Sequence, residues 1–104
     1  MNEAIRKKIK AQKCMVCPPW KSLPVDACHV RSKGAGGPDD EWNLVPQCRA
    51  HHSEQHRLGW ARYLHKYPQG MAFLKSMGWE WNDVFGIQKL WHPRLAIEKK
   101  DSCI

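Results

Sequence analysis

The chain lacks any apolar run approaching the ~20 residues that a membrane-spanning helix requires, and no apolar segment follows its basic start, MNEAIRKKIK. A membrane partner and export by an ordinary signal are therefore not expected, and a soluble cytoplasmic protein is. Acidic residues are scarce, ten Asp and Glu against seventeen Lys and Arg, for a formal charge of +7. That balance favours a polyanionic partner, nucleic acid first, with simple solubility as the bland alternative. At 104 residues the chain is too short for two independent cores, so a single domain over 1–104 is expected. Nor is there an even set of cysteines. Four of the five lie in a CxxC pair or beside histidines, which favours metal ligation over a disulfide framework. No Walker-type phosphate loop, recognition helix or second DNA-binding domain stands out, and no small organic cofactor is implied.

What is present is concentrated. The stretch Asp26–His56 carries four of the six histidines and two of the five cysteines. Upstream, residues 1–13 place Ile5 and Ile9 four apart among Arg6, Lys7, Lys8, Lys10 and Lys13. This predicts a short basic helix whose cations either meet phosphates or form a solvated face. Cys14-Met15-Val16-Cys17, followed by Pro18 and Pro19, has the form of a zinc knuckle; a redox pair would instead open a helix within a βαβ pattern. Leu23–Arg31 reads as a strand with Val25, Ala27, His29 and Arg31 on one face and Asp26, Cys28 and Val30 on the other. A glycine-rich loop containing Lys33 follows over 32–40, then a second short strand from Trp42 to Pro46 and a helix from Gln47 to Arg57.

On that helix, taking Cys48 as zero, His51 falls at about −60°, His52 at about +40° and His56 at about +80°. Cys48 and His51 pair on one side and complete a closed Cys3His zinc set with Cys14 and Cys17. His52 and His56, at i and i+4, form a second pair with coordination positions left open, as a catalytic metal needs. Beyond Gly59, Trp60, Tyr63, Leu64 and Tyr67 form a packing stripe that ends at Pro68. A further helix is predicted over 69–77, stopping at Gly78, and the aromatics between Trp79 and Trp91 are spaced too irregularly to assign but bulky enough to pack. Residues 93–104 read as a tail, with Cys103 a bystander.

The ordered set Cys14-x-x-Cys17, Cys28-His29-Val30, Asn43-Leu44-Val45-Pro46 and Cys48-x-x-His51-His52 resembles the HNH endonucleases. It is most similar to small phage- or prophage-associated members with a structural zinc site. The resemblance covers 14–57 and implies an α+β fold: a ββα-metal, or His-Me finger, core with a zinc knuckle. The basic N-terminal helix precedes that core; additional C-terminal helices, in a packing segment over 58–92, follow it. It implies hydrolysis of DNA phosphodiesters, with His29 as general base, Asn43 bracing the site, and His52 and His56 as metal ligands. The chemistry is coherent: a neutral imidazole takes a proton from water near neutral pH, and Arg31 is placed to hold a phosphate oxygen. The catalytic ion would be Mg2+ or Mn2+ first, with Zn2+ or Ni2+ also open, beside a structural Zn2+.

Two departures stand out. Many relatives have Asp or His before the base, where this chain has Cys28, a soft ligand poorly matched to magnesium. Either His52, His56, water and substrate suffice, or Cys28 favours a softer ion, or Cys28 is buried behind the strand, where alternation points it. Asp26 is the nearest acidic substitute, yet lies on the face opposite His29 in a regular strand. The other departure is His51, where relatives often have a second cysteine; the two are equally competent zinc ligands. The alternative function is a non-catalytic zinc module that binds nucleic acid or protein. Substrate specificity and oligomeric state are not legible.

Overall fold

Val25 and Cys28 turn inward from a short strand whose hydrogen-bond partner is buried throughout, Val30 is buried just beyond its end, and this hairpin organises the first half of the protein. The computed structural model describes residues 3–32, 34 and 36–95. The chain is α+β, with two antiparallel two-stranded sheets, and divides into two compact units, Met1–Leu58 and Gly59–Ile104, where one domain was expected. Among the described residues, no helix is long and apolar enough to cross a membrane.

In the first unit, α1 spans Glu3–Lys10 and buries Ile9 while its charged residues stay in solvent. Strand β1 (Val25–His29) pairs with β2 (Leu44–Cys48), Val25 opposite Cys48 and His29 opposite Leu44. A 3-10 turn, Glu41–Asn43, leads into β2, and α2 (Arg49–Leu58) follows β2 without a break. Helix α1 packs on both strands, as does α2. Leu44 and Val45 are fully buried; each contributes about 1.5–3 kcal/mol by leaving water.

The strands differ from expectation in a way that the pairing explains. β1 ends at His29, so Arg31 lies beyond the ladder. β2 runs to Cys48, with Pro46 in its middle opposite Ala27, where a helix from Gln47 was expected. Proline is tolerated because a residue's nitrogen and carbonyl point to the same side of a strand. The Pro46 carbonyl turns outward, accepting the Met15 N–H at 2.9 Å, so the missing N–H costs no ladder bond. Cys48 is thus a strand residue, and its place beside His51 comes from the strand-to-helix junction, not from a helical angle.

The second unit begins with α3 (Trp60–Lys66) and α4 (Pro68–Ser76), with Pro68 in the first turn of α4. Tyr63, Leu64, Met71, Leu74 and Trp79 are buried. His92 is buried too: its Nε2–H donates to the Met77 carbonyl at 2.8 Å while Nδ1 accepts the Arg94 N–H at 3.1 Å, which fixes a neutral ring. The segment left unassigned in the sequence is a hairpin, β3 (Glu80–Val84) and β4 (Ile87–Trp91), so the C-terminal part is not helical alone. Of its bulky residues Trp79 is buried and Trp81, Leu90 and Trp91 are half-buried, as expected of packing, whereas Val84 and Phe85 are exposed, contrary to it. Residues 93–95 add a helical turn; the rest of the expected tail, with Cys103, lies outside the described residues, as does Lys33.

The hairpin turns on two residues, Phe85 and Gly86, with φ of 53° and 79°. Both positive values suit a tight primed turn, where Asn or Gly is the usual first residue. An aromatic side chain there strains the backbone and, fully exposed, recovers nothing by packing. Phe85→Asn is therefore expected to stabilise the hairpin by about 0.5–1 kcal/mol. Hydrogen exchange at the β3 and β4 amides reads this directly: protection should rise severalfold, and unchanged or lower protection would contradict the turn assignment.

Candidate metal centre

Three separate places in the chain supply the four donors of one cluster. The CxxC loop brings Cys14 and Cys17, the end of β2 brings Cys48, and the first turn of α2 brings His51. The Met15–Pro46 hydrogen bond pins that loop against β2. All four ligand atoms lie within 4.8 Å of one another. His51 Nδ1 is 3.3 Å from Cys17 Sγ, 3.2 Å from Cys48 Sγ and 3.6 Å from Cys14 Sγ, and Cys17 and Cys48 sulfurs are 3.8 Å apart. A tetrahedral zinc with ordinary Zn–S and Zn–N bonds requires S···S edges of about 3.8 Å and S···N edges of about 3.5 Å. The residues fit such an ion closely, and the set is closed.

Burial, reinforced by the Cys14 and Cys48 thiols alongside, pushes Cys17 up to about 12. For Cys14 burial also raises the pKa, but hydrogen bonds led by the backbone N–H of Cys48 outweigh it and the net shift is downward. Without a cation the cluster holds thiol protons that thiolate ligation must displace.

A second group lies on the next face of α2. His52 Nδ1 is 3.2 Å from Asp26 Oδ2, and His52 Nε2 is 3.0 Å from His56 Nε2. Arg49 also reaches Asp26, its Nε donating to Oδ2 at 3.0 Å. Burial raises the Asp26 pKa, yet the hydrogen bonds from His52 and Arg49 and their charge more than reverse this, holding the carboxyl below its ordinary value. Asp26 is therefore ionised at neutral pH and accepts the His52 Nδ1–H, so that Nε2 is the His52 nitrogen turned away from the carboxylate. Alternation along β1 puts Asp26 on the face opposite His29, and the histidine it meets there is His52. Cys28, by contrast, is 2% exposed, and its Sγ–H points at the Asp26 carbonyl at 3.5 Å. Burial, with the nearby Asp26 charge, pushes Cys28 up to about 11, against hydrogen bonds from Gln47. It is a buried thiol.

The third group surrounds His29, whose Nε2 is 2.6 Å from Asp39 Oδ1. Asn43, fully buried, accepts the Arg31 N–H on Oδ1 at 2.8 Å and donates from Nδ2 to the carbonyls of Arg31 at 3.0 Å and Pro38 at 2.9 Å. These bonds clamp the loop that carries Asp39. Gly37 is required in it, since a Cβ there would fall 1.8 Å from the Arg31 carbonyl oxygen.

The fold thus brings together Cys14, Cys17, Cys48 and His51 as one cluster and His52 with His56 as another. His29 stands with Asp39, and among the described residues no hydrogen bond joins it to His52 or His56. Arg31 is exposed and meets Asn43 through its backbone. The cations of α1 are also exposed; Lys8 is paired with Glu41 at 2.7 Å, and Lys13 donates to the Pro19 carbonyl at 2.5 Å. Asp39 escaped the sequence reading because a nine-residue stretch, 30–38, closes the distance to His29 and no spacing rule encodes that closure. No family model matches the chain, and comparisons with curated proteins and with solved structures return no match.

Stoichiometric zinc added to the metal-free protein at neutral pH is expected to release protons, since Cys17 begins protonated. A pH indicator in weak buffer measures this, and zinc uptake without proton release would remove the thiols from the ligand set. Cys48→Ala should lose bound zinc and lower the thermal midpoint of the first unit. Unchanged zinc content and melting would overturn the assignment.

Proposed function

We propose that this chain is a metal-dependent endonuclease of the HNH type that hydrolyses DNA phosphodiester bonds, with β1, β2 and α2 as its ββα-metal core. The observation that carries the reading is the division of α2. One face gives His51 to a closed zinc set, and the adjoining face presents His52 and His56 with their Nε2 atoms 3.0 Å apart and Asp26 behind His52. Two nitrogens cis on a six-coordinate ion at about 2.1 Å are separated by about 3 Å, so the pair fits a divalent cation with positions left for water and substrate. Asp26 fixes the His52 tautomer and orients the ring, as partners of ligating histidines do.

A divalent ion on this pair would neutralise charge on the phosphate and on the departing 3′ oxygen. His29 takes a proton from the attacking water as its oxygen bonds to phosphorus; the bond from phosphorus to the 3′ oxygen breaks, and that oxygen takes a proton from solvent water, leaving a 5′-phosphate and a 3′-hydroxyl. Asn43 acts through the loop it clamps. Arg31 and the exposed cations Arg6, Lys7, Lys8, Lys10 and Lys13, with Lys33, are suited to contact the phosphate backbone without reading sequence.

One observation favours a second reading, a non-catalytic zinc module: among the described residues the Cys3His cluster is the one group of three or more converging donors. A cleavage assay separates the two. Supercoiled plasmid, single-stranded DNA and branched DNA are incubated with Mg2+, Mn2+, Ni2+ or Zn2+; the nuclease reading expects cutting and the zinc module none. His29→Ala should lower the rate by about 10²-fold or more while bound zinc and melting stay as in the wild type. If His29→Ala instead unfolds the protein, the role of His29 is structural.

A further inference from the structure

We propose that Asp39 is the positioning residue for His29: its carboxylate holds the imidazole as the Nε2–H tautomer and so keeps Nδ1 free to receive the proton of the attacking water. This role rests on the nuclease reading, but its structural half stands by itself. The Nε2–Oδ1 distance of 2.6 Å is that of a short, charge-assisted hydrogen bond, and both side chains are largely shielded, at 21% and 23% exposure. A carboxylate can only accept from a neutral imidazole, so the ring nitrogen facing it must carry the hydrogen. The other nitrogen is then the base. An imidazole without such a partner divides its population between two tautomers, of which one is inert, and rotates about χ2.

The position of the carboxylate is itself imposed. Asp39 follows Pro38, whose carbonyl is bound by Asn43 Nδ2 at 2.9 Å, while the other end of the loop is held at Arg31 by the same amide. Gly37 closes the loop by its N–H bond to the Ser32 carbonyl at 2.9 Å, at a spot where no side chain fits. A buried asparagine thereby places Asp39, and Asp39 places His29. The bracing role of Asn43 acquires a route, through the loop backbone and a carboxylate to the base.

The test uses the full chain and two readouts. In the wild type, side-chain nitrogen–proton correlation spectra at a pH where the ring is neutral should give His29 the Nε2–H pattern. Asp39→Ala should give a mixture, and Asp39→Asn, whose amide can also donate to Nε2, should shift the population toward Nδ1–H. Both variants should lower kcat by about 10- to 100-fold, part of the 10²- to 10⁴-fold that a general base supplies, with KM within about twofold of wild type. Zinc content and melting verify the fold, and the near-isosteric Asp39→Asn serves if the alanine variant does not fold. A wild-type Nδ1–H pattern, an unchanged pattern in Asp39→Asn, or an Asp39→Asn enzyme with wild-type kcat each overturns the proposal. If the wild type cuts no DNA with any metal, the nuclease reading fails, and the spectra still decide whether Asp39 sets the tautomer.

Discussion

The first unit depends on four donor atoms from three stretches of chain meeting within 4.8 Å. Its apolar core is small, a few side chains such as Ile9, Val25, Leu44 and Val45 around a two-stranded sheet. An isolated hairpin is marginal in water, and helices of eight and ten residues are too short to hold by themselves. A metal held by these four donors would supply what such a unit lacks, because the affinity of the assembled site is folding free energy. Tying the CxxC loop, the end of β2 and the start of α2 to one point also sets the phase of α2. Once His51 faces the cluster, 3.6 residues per turn put His52 and His56 on the adjoining face, towards Asp26.

Asn43 has the corresponding role at the other end of the hairpin. A fully buried amide with three protein hydrogen bonds is satisfied only in one loop geometry, and each lost partner would leave a buried polar atom at a cost of about 1–3 kcal/mol. The loop between β1 and β2 is held besides by the Gly37–Ser32 hydrogen bond and the His29–Asp39 contact. The two anchors are different in kind: thiolates and an imidazole converge on a point, whereas the amide spans two backbone segments. Together they fix both ends of the short strand from which Asp26 and His29 project.

What was legible in the sequence follows from this division. Donors close together along the chain were readable, because CxxC, Cys-x-x-His and i, i+4 histidines have spacings that local geometry enforces. The strand bearing His29 and the helix bearing His52 were readable from alternation and periodicity. Relations made by tertiary closure were not. Asp39 reaches His29 across a loop, Asp26 reaches His52 across the hairpin-to-helix junction, and neither has a sequence signature. Pro46 misled the boundary of α2, since its place in a strand depends on which way its carbonyl faces. The β3–β4 hairpin escaped because Phe85 occupies a position where Asn or Asp would have announced the turn.

On the nuclease reading, Cys28 stands ahead of His29 where a harder ligand would be expected, and burial and charge together account for it. A thiol pushed up to about 11 and 2% exposed offers no thiolate at neutral pH. Asp26, two residues earlier, is held ionised by His52 and Arg49 and supplies the only carboxylate hydrogen-bonded to the His52–His56 pair among the described residues. On the nuclease reading, the strand thereby keeps sulfur away from the second metal and shows it nitrogen and oxygen. Soft donors would select zinc or copper, whereas imidazole, carboxylate and water tolerate magnesium and manganese as well as nickel and zinc. On that reading sulfur ligands belong to the Cys14, Cys17, Cys48 and His51 cluster, and the same chain would hold one ion tightly for folding and another loosely for chemistry.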